Sequence, residues 1–339
     1  MMQKYTLKDL AKLLNVSVST VSKSLNDSPE ISTETRDRVK ELALLNNYIP
    51  NGMAQSLKAR ETKTIGVIIP NVLDSFFAKA LDGIETMASS LGYRIIICIS
   101  NDSTKKEADS LSTFLSARVD GLIISLAKET QRNNDFSHIM NVINYGIPVV
   151  LFDRITTQLP CDYVSIDDFQ IAKKATLQMY ESGCEKIAYL STIYDTSVDF
   201  HRKKGYLAAM KGINVKPCII HIKDYGVFEK NLLSALKRNS IDGILAADEL
   251  SAIFTIRSVI KNGYKIPEEI SVIGFTNGFM GEKFLPSLTT VEQYAGKQGK
   301  LSVETLIARI RGELTKKKIS TVLESKILYR DSTKALEKL

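Results

Sequence analysis

Near residue 63 the chain changes period, and the pattern after that point restricts the fold more than any other feature. Short β-branched and aliphatic runs fall at 64–69, 94–99, 121–125, 148–152, 163–166, 186–191, 218–222, 243–247 and 271–275. Amphipathic stretches of helical length lie between them, at 75–91, 105–117, 169–182, 200–211 and 249–262. Continuous apolar strands separated by helices imply parallel sheets covered on both faces. Gly92, Gly183 and Gly263 follow helical stretches directly, at the position where a helix turns left-handed to stop. Val119-Asp120-Gly121-Leu122-Ile123 is echoed by Ile241-Asp242-Gly243-Ile244-Leu245, which suggests two similar doubly wound halves. Ligands of such sheets sit outside the carboxyl ends of the strands. Two halves facing each other would enclose a cleft.

Before residue 63 the period is helical. Leu7, Leu10, Ala11 and Leu14 share one helix face. Asn15 tolerates the left-handed backbone of a tight turn. Ser17 can cap a second helix, with Val21 and Leu25 turned inward, and Ser32 a third, with Val39, Leu42 and Ala43 buried. Pro50 ends the module. Three helices with a very short first turn make a helix-turn-helix, whose second helix enters the major groove. Val18, Ser19, Ser22 and Lys23 then face outward toward base edges, while Thr6, Thr20 and Asn26 suit phosphate oxygens. The plainer alternative is a small helical domain with a hydroxyl-rich, solvated helix.

Composition narrows the classes. With 339 residues the chain holds about two domains. The net charge of +7 permits a nucleic-acid partner without requiring one. No apolar run approaches the roughly 20 residues that span a bilayer. Lys4, Lys8, Asp9 and Lys12 interrupt any signal-peptide core, so a cytoplasmic protein without a membrane partner is expected. Cys98, Cys161, Cys184 and Cys218 are far apart and the histidines lack metal-ligand spacing, so neither a metal nor a cofactor is expected. There is no G-x-S-x-G, no Walker sequence and no G-x-G-x-x-G opening a helix, which speaks against an enzyme. The neighbours Asp167 and Asp168 point in different directions on one element and do not form an acid/base pair across a cleft.

Thr6-Leu7-Lys8-Asp9-Leu10-Ala11, Val16-Ser17, Thr20-Val21-Ser22, Asn26, Tyr48-Ile49-Pro50-Asn51 and Ala54-Gln55-Ser56-Leu57 resemble the LacI/GalR family of bacterial repressors. The likeness continues through Thr64-Ile65-Gly66-Val67, Val119-Asp120-Gly121, Pro267 and Pro286-Ser287-Leu288-Thr289-Thr290-Val291, in the family's order along nearly the whole chain. The resemblance implies an α/β fold: an N-terminal helix-turn-helix domain plus two periplasmic-binding-protein-like, doubly wound parallel sheets. It places a DNA-binding domain at 1–49, a hinge helix and linker at 50–63, and an effector-binding and dimerisation domain at 64–339. Within the last, the N-subdomain is 64–166 with 294–319, and the C-subdomain 167–293 with 320–339. The implied DNA contacts are Thr6, Leu7, Ser17, Val18, Ser19, Thr20, Ser22, Lys23, Asn26, Asn51, Ala54, Leu57 and Lys58. Leu57 matches an apolar wedge that unstacks a base step and kinks the duplex, and its bland alternative is a linker leucine. Gly52 weakens that short helix.

The resemblance also implies a ligand cleft lined by Asn71, Phe76, Phe77, Asp153, Arg154, Asp167, Arg202, Tyr225, Asp248 and Thr276, with Asp168 beside it. Aromatic faces stack on sugar rings, while Arg and Asp hydrogen-bond hydroxyls. Structural roles compete: Phe77 in the core, Asp153 and Asp248 as helix caps, Arg202 paired with Asp199. Thr276 stands where the family usually has an aspartate, and Thr196 and Val198 replace polar contacts of purine-binding relatives, so a sugar is expected over a nucleobase. The expected protein is a dimeric repressor of a pseudo-palindromic operator, allosterically controlled by a small carbohydrate. The alternatives are a solute-binding protein without DNA function and a DNA regulator controlled by a protein co-repressor. Ala335 to Leu339 is too short to argue as a tetramerising coil.

Overall fold

The computed structural model describes residues 5–48 and 61–335. Its contacts divide the chain between Thr62 and Lys63. Asn51, Ala54, Leu57 and Lys58, with the hinge expected around them, lie outside the described residues.

The first unit is three helices: α1 (Leu7–Leu14), α2 (Val18–Leu25) and α3 (Thr33–Leu45). Thr6 and Asp9 close a capping box at the start of α1, and Asn15 ends it at φ 54°. Ser17 accepts the Thr20 amide and Ser32 that of Thr35, so both expected caps form. Leu10, Ala11, Val21, Val39 and Ala43 are buried, with Leu7, Leu14, Leu25, Leu42 and Tyr48 packed partly over them.

The second unit begins with β1 (Thr64–Ile69), α4 (Ser75–Ser90), β2 (Arg94–Ile99), α5 (Thr104–Ala117), β3 (Gly121–Ile124), α6 (Lys128–Asn133), α7 (Ser137–Asn144), β4 (Val149–Phe152) and β5 (Asp162–Ile166). The second lobe follows with α8 (Asp168–Glu181), β6 (Ile187–Ser191), α9 (Ser197–Gly212), β7 (Cys218–His221), α10 (Phe228–Asn239), β8 (Gly243–Ala246), α11 (Glu249–Lys261), β9 (Ser271–Phe275), α12 (Phe279–Lys283) and β10 (Thr289–Glu292). The chain then returns through α13 (Ala295–Ile310), β11 (Ser320–Leu323) and β12 (Lys326–Leu328). No described helix is long and apolar enough to cross a membrane.

The first six-stranded sheet has the order β11-β5-β4-β3-β1-β2 and is parallel throughout; the second runs β12-β10-β9-β8-β6-β7, with only β12 antiparallel. Matched strand by strand, the two orders are the same, which accounts for the echoed motif. Asp120 accepts the Lys63 amide at 2.7 Å, and Asp242 those of Glu185 and Lys186 at 2.8 Å each. Each aspartate thereby ties the entry of a sheet's central strand to the start of its neighbour.

Three expectations need correction. Segment 320–339 does not belong wholly to the second lobe: β11 pairs with β5 of the first sheet, whereas β12 and the residues after it, through Lys334, join the second. Coverage on both faces fails at the edge strand β2, where Ile96, Ile97 and Ile99 are 37%, 43% and 39% exposed. The alternation also continues past β9, through β10 to β12 and a helix, α13, that packs on β3, β4 and β5.

Helices α4 and α13 lie unusually close. A Cβ on Gly83 would sit 2.1 Å from the Gly296 carbonyl oxygen, and one on Gly299 2.2 Å from that of Ala80. Backbone packs on backbone here, and an added methyl has no flexible neighbour to displace. Gly83→Ala is therefore expected to destabilise the protein by about 1–3 kcal/mol, read as a lower urea midpoint at unchanged slope. An unshifted midpoint would mean that the two helices can separate freely.

Candidate nucleic-acid interface and ligand cleft

Helix α2 presents a short polar face. The Ser17 hydroxyl lies 3.0 Å from that of Ser19 and 2.8 Å from that of Thr20. Val18 is 41% exposed, which suits contact with a thymine methyl. Ser19 is exposed, whereas Thr20 and Ser22 are half-buried. The Lys23 ammonium donates to Glu30, and this hydrogen bond holds the Glu30 carboxyl below its ordinary range. The Asn26 amide donates to the Ser22 carbonyl at 2.8 Å. The Thr6 hydroxyl is engaged by Asp9 at 2.7 Å, and Leu7 packs against the module's core, so neither side chain is free as it stands.

In the second unit the polar groups gather at the carboxyl ends of the strands, where doubly wound sheets bind. Beyond β1, Asp74 caps α4 by accepting the Phe76 amide at 2.8 Å, and burial pushes its carboxyl up. Beyond β2, Asp102 accepts from Arg154, which follows β4. Beyond β3, the Lys128 ammonium lies 3.7 Å from the centre of the Tyr194 ring, and burial pushes its pKa down. Asp153 is held at φ 56°, is 8% exposed, and receives no hydrogen bond from any described residue on its carboxylate. Burial pushes that carboxyl up to about 7.

The second lobe supplies Arg202, 2% exposed, from α9. Its Nε donates to Asp168 at 2.7 Å and its Nη1 to the Ala247 carbonyl at 2.6 Å, while Nη2 has no partner. Burial opposes the Arg202 charge, but the carboxylates of Asp168 and Asp153 outweigh it and raise its pKa. The guanidinium also lies 4.0 Å from the centre of the Phe275 ring. Tyr225 and Asp248 both meet the Thr192 hydroxyl, at 3.1 and 2.9 Å. The lobes touch at the rim, where Ser197 accepts the Ile155 amide at 3.2 Å and donates its own to Gln131 at 3.1 Å. Across the gap Lys79 donates to the Asn277 carbonyl.

The expected cleft residues divide accordingly. Asp153 and Arg154 follow β4, Tyr225 follows β7 and Asp248 follows β8, while Arg202 reaches in from α9 to the Ala247 carbonyl beside Asp248. Asp248 is also the cap of α11, as its structural alternative held. Phe76 and Phe77 are buried in the first lobe's core against Phe152. Asp167 is exposed and caps α8, and its neighbour Asp168 is the one turned to Arg202. Asp199 is not the partner of Arg202; it accepts from Tyr189 at 2.9 Å and faces Lys203 at 3.8 Å. Asn71 is exposed and turns its oxygen to the Leu73 amide at 2.8 Å. Thr276, at φ 77°, spends its hydroxyl on Gln293 at 2.5 Å. Sequence reading missed Asp74, Asp102, Lys128, Thr192 and Tyr194. All directly follow strands, and the strand-end rule applied to every strand would have found them. Among the described residues no group of His, Cys, Asp or Glu is arranged to hold a metal ion.

A helix-turn-helix module joined to a two-lobed body with a charged cleft at its strand ends defines a class: the ligand-responsive, DNA-binding transcriptional regulators. Comparison with known proteins gives the family. The family described as bacterial regulatory proteins, lacI family, matches residues 6–51, and the periplasmic binding protein domain matches 65–314. The HTH-type transcriptional regulator DegA of Bacillus subtilis (strain 168) is 30% identical over 339 residues, covering 98% of this chain and 99% of the relative. The fold is similar to that of the lac repressor dimer bound to operator and the anti-inducer ONPF, with a TM-score of 0.87 at 22% identity over 98% of this chain and 100% of that one. It is also similar to a periplasmic binding protein/LacI transcriptional regulator from Alkaliphilus metalliredigens QYMF complexed with D-xylulofuranose. That likeness has a TM-score of 0.69 at 28% identity, over 80% of this chain and 99% of that one. The chain belongs to the LacI family of bacterial regulatory proteins.

Proposed function

We propose that this regulator is a homodimeric repressor that binds a pseudo-palindromic operator and is controlled by a small carbohydrate held between its two lobes. One observation carries the effector half: a buried guanidinium nitrogen of Arg202 has no protein partner, and the Asp153 carboxylate beyond β4, 8% exposed, receives no hydrogen bond from a described residue. A buried donor left unpaired costs about 1–3 kcal/mol, and a hydroxyl oxygen of a bound polyol would satisfy it. The sugar in the 28% identical neighbour supports the ligand class. The operator and the two-fold partner in the lac repressor structure support the DNA half, because a two-fold dimer reads an inverted repeat. The exposed isoleucines of β2 offer apolar surface to a second copy.

In this reading Val18, Ser19, Ser22 and Lys23 meet base edges, Thr6, Thr20 and Asn26 position the module on phosphates, and Leu7 and Ser17 complete the contact set. Asn51, Ala54, Leu57 and Lys58 belong to the minor-groove hinge. The protein acts on DNA in the cytoplasm and catalyses nothing; its relatives are regulators. A ligand can shift DNA affinity only by its preference for one pose of the lobes.

Fluorescence anisotropy tests this against a palindromic candidate from upstream of the protein's own gene, beside scrambled DNA, at two salt concentrations. Specific binding that survives scrambled competitor is expected, and a sugar panel should then change it. Equal, steeply salt-dependent binding to both DNAs would refute the specific-repressor reading for that site. Lys23→Ala should weaken operator binding by about 1–3 kcal/mol and scrambled binding by less. Equal losses on both would make Lys23 a phosphate contact.

A further inference from the structure

The charges of the cleft do not cancel. Arg154 is taken by Asp102, Arg202 by Asp168, and the Lys128 ammonium lies on the Tyr194 ring. Asp74, Asp153 and Asp248 have no basic group within ion-pair distance among the described residues. Arg202 and Arg154 favour the charge of Asp153 from beyond that distance, while Asp168 and Asp74 oppose it, and Asp248 opposes that of Asp74. Asp74 and Asp248 belong to different lobes, so their repulsion spans the gap that a ligand fills. Beside this surplus, Arg202 Nη2 is a buried donor lacking an acceptor. The empty places therefore call for a cationic donor toward the aspartates and a neutral acceptor toward Arg202.

We propose that the effector carries a primary ammonium next to a hydroxyl, as in an amino sugar, with the ammonium held by Asp153 and Asp74 and the hydroxyl oxygen accepting from Arg202 Nη2. An ammonium brings three donors and the missing positive charge. A neutral hexose supplies donors but no positive charge toward these carboxyls. A phosphorylated sugar adds charge of the wrong sign, and like charges placed together disfavour binding strongly. This inference rests on the reading of the cleft as a carbohydrate site.

Calorimetric titration of the full-length protein at pH 7 tests it with matched pairs: D-glucosamine against D-glucose, D-galactosamine against D-galactose, and D-mannosamine against D-mannose. N-acetyl-D-glucosamine and D-glucose 6-phosphate complete the panel. In at least one pair the amine is expected to bind about tenfold or more tightly than its hexose. Acetylation should remove that advantage, and Asp153→Asn should reduce it to about threefold or less. A neutral hexose or the phosphate binding as tightly as every amine would overturn the ammonium while leaving the carbohydrate reading in place. No binding by any sugar, charged or neutral, would overturn both.

Discussion

Replacing Arg202 by alanine is expected to lower the unfolding free energy by about 3–5 kcal/mol, the range for removing one partner of a buried ion pair. The loss exceeds that of a surface pair because Arg202 serves several groups at once. Asp168, 7% exposed, would lose the cation that offsets its burial and would have to bear an unpaired charge or take up a proton, and the Ala247 carbonyl would lose its donor. Asp153 would lose the largest cationic influence against its own burial. Urea unfolding followed by circular dichroism measures the change. A shift below about 1 kcal/mol would show that water already reaches this pair. The ligand response should vanish with the guanidinium. If Asp168→Asn restores much of the stability to Arg202→Ala without restoring ligand binding, the structural and ligand-binding roles of Arg202 are separable.

Asp153→Asn should act in the opposite direction, and its effect should depend on pH. Burial raises the Asp153 carboxyl from 3.8 to about 7 in the folded protein. Between those values the folded state binds a proton that the unfolded state has released. Wild-type stability therefore falls as pH rises through this window and levels off above it. Asparagine cannot ionise, so this component is absent in the variant. The variant's advantage over wild type should grow from near zero around pH 4 to about 4 kcal/mol at pH 8. Parallel stability profiles for the two proteins would mean that Asp153 ionises as it does in water.

Much of this architecture was legible in the sequence because its signals are local. The caps at Ser17 and Ser32 act within one turn, and the apolar runs of the central strands are continuous. What escaped was set by distance or by close packing. Helix α13 opens Ala-Gly-Lys-Gln-Gly-Lys, with no apolar stripe, because Gly296 and Gly299 serve contact with α4 and not burial of a side chain. Strand β12 spans only Lys326–Leu328, too short to show a period. In the cleft, the sequence suggested Asp199 for Arg202 because the two share a helix. The actual partner, Asp168, is 34 residues away on α8. Whether Asp167 or Asp168 turns inward depends on which of them caps that helix, and a single residue of offset decides it. Phe77 matched the expected cleft pattern, yet it serves the core beneath it, 5.6 Å from the Arg154 guanidinium.

The contact between α4 and α13 has a mechanical consequence. Helix α4 is capped by Asp74, beyond β1, while α13 starts directly after Tyr294, where the chain crosses between the lobes at φ 53°. With no side chains at Gly83 and Gly299, backbone meets backbone and no flexible group lies between the two helices to absorb a strain. The pair is expected to move as one stiff lever, turning at the crossing at Gln293 and Tyr294. A pull on the cap of α4 would then swing the lobe and not rearrange it, and a small displacement at the cleft would become a larger arc at the far end of the arm.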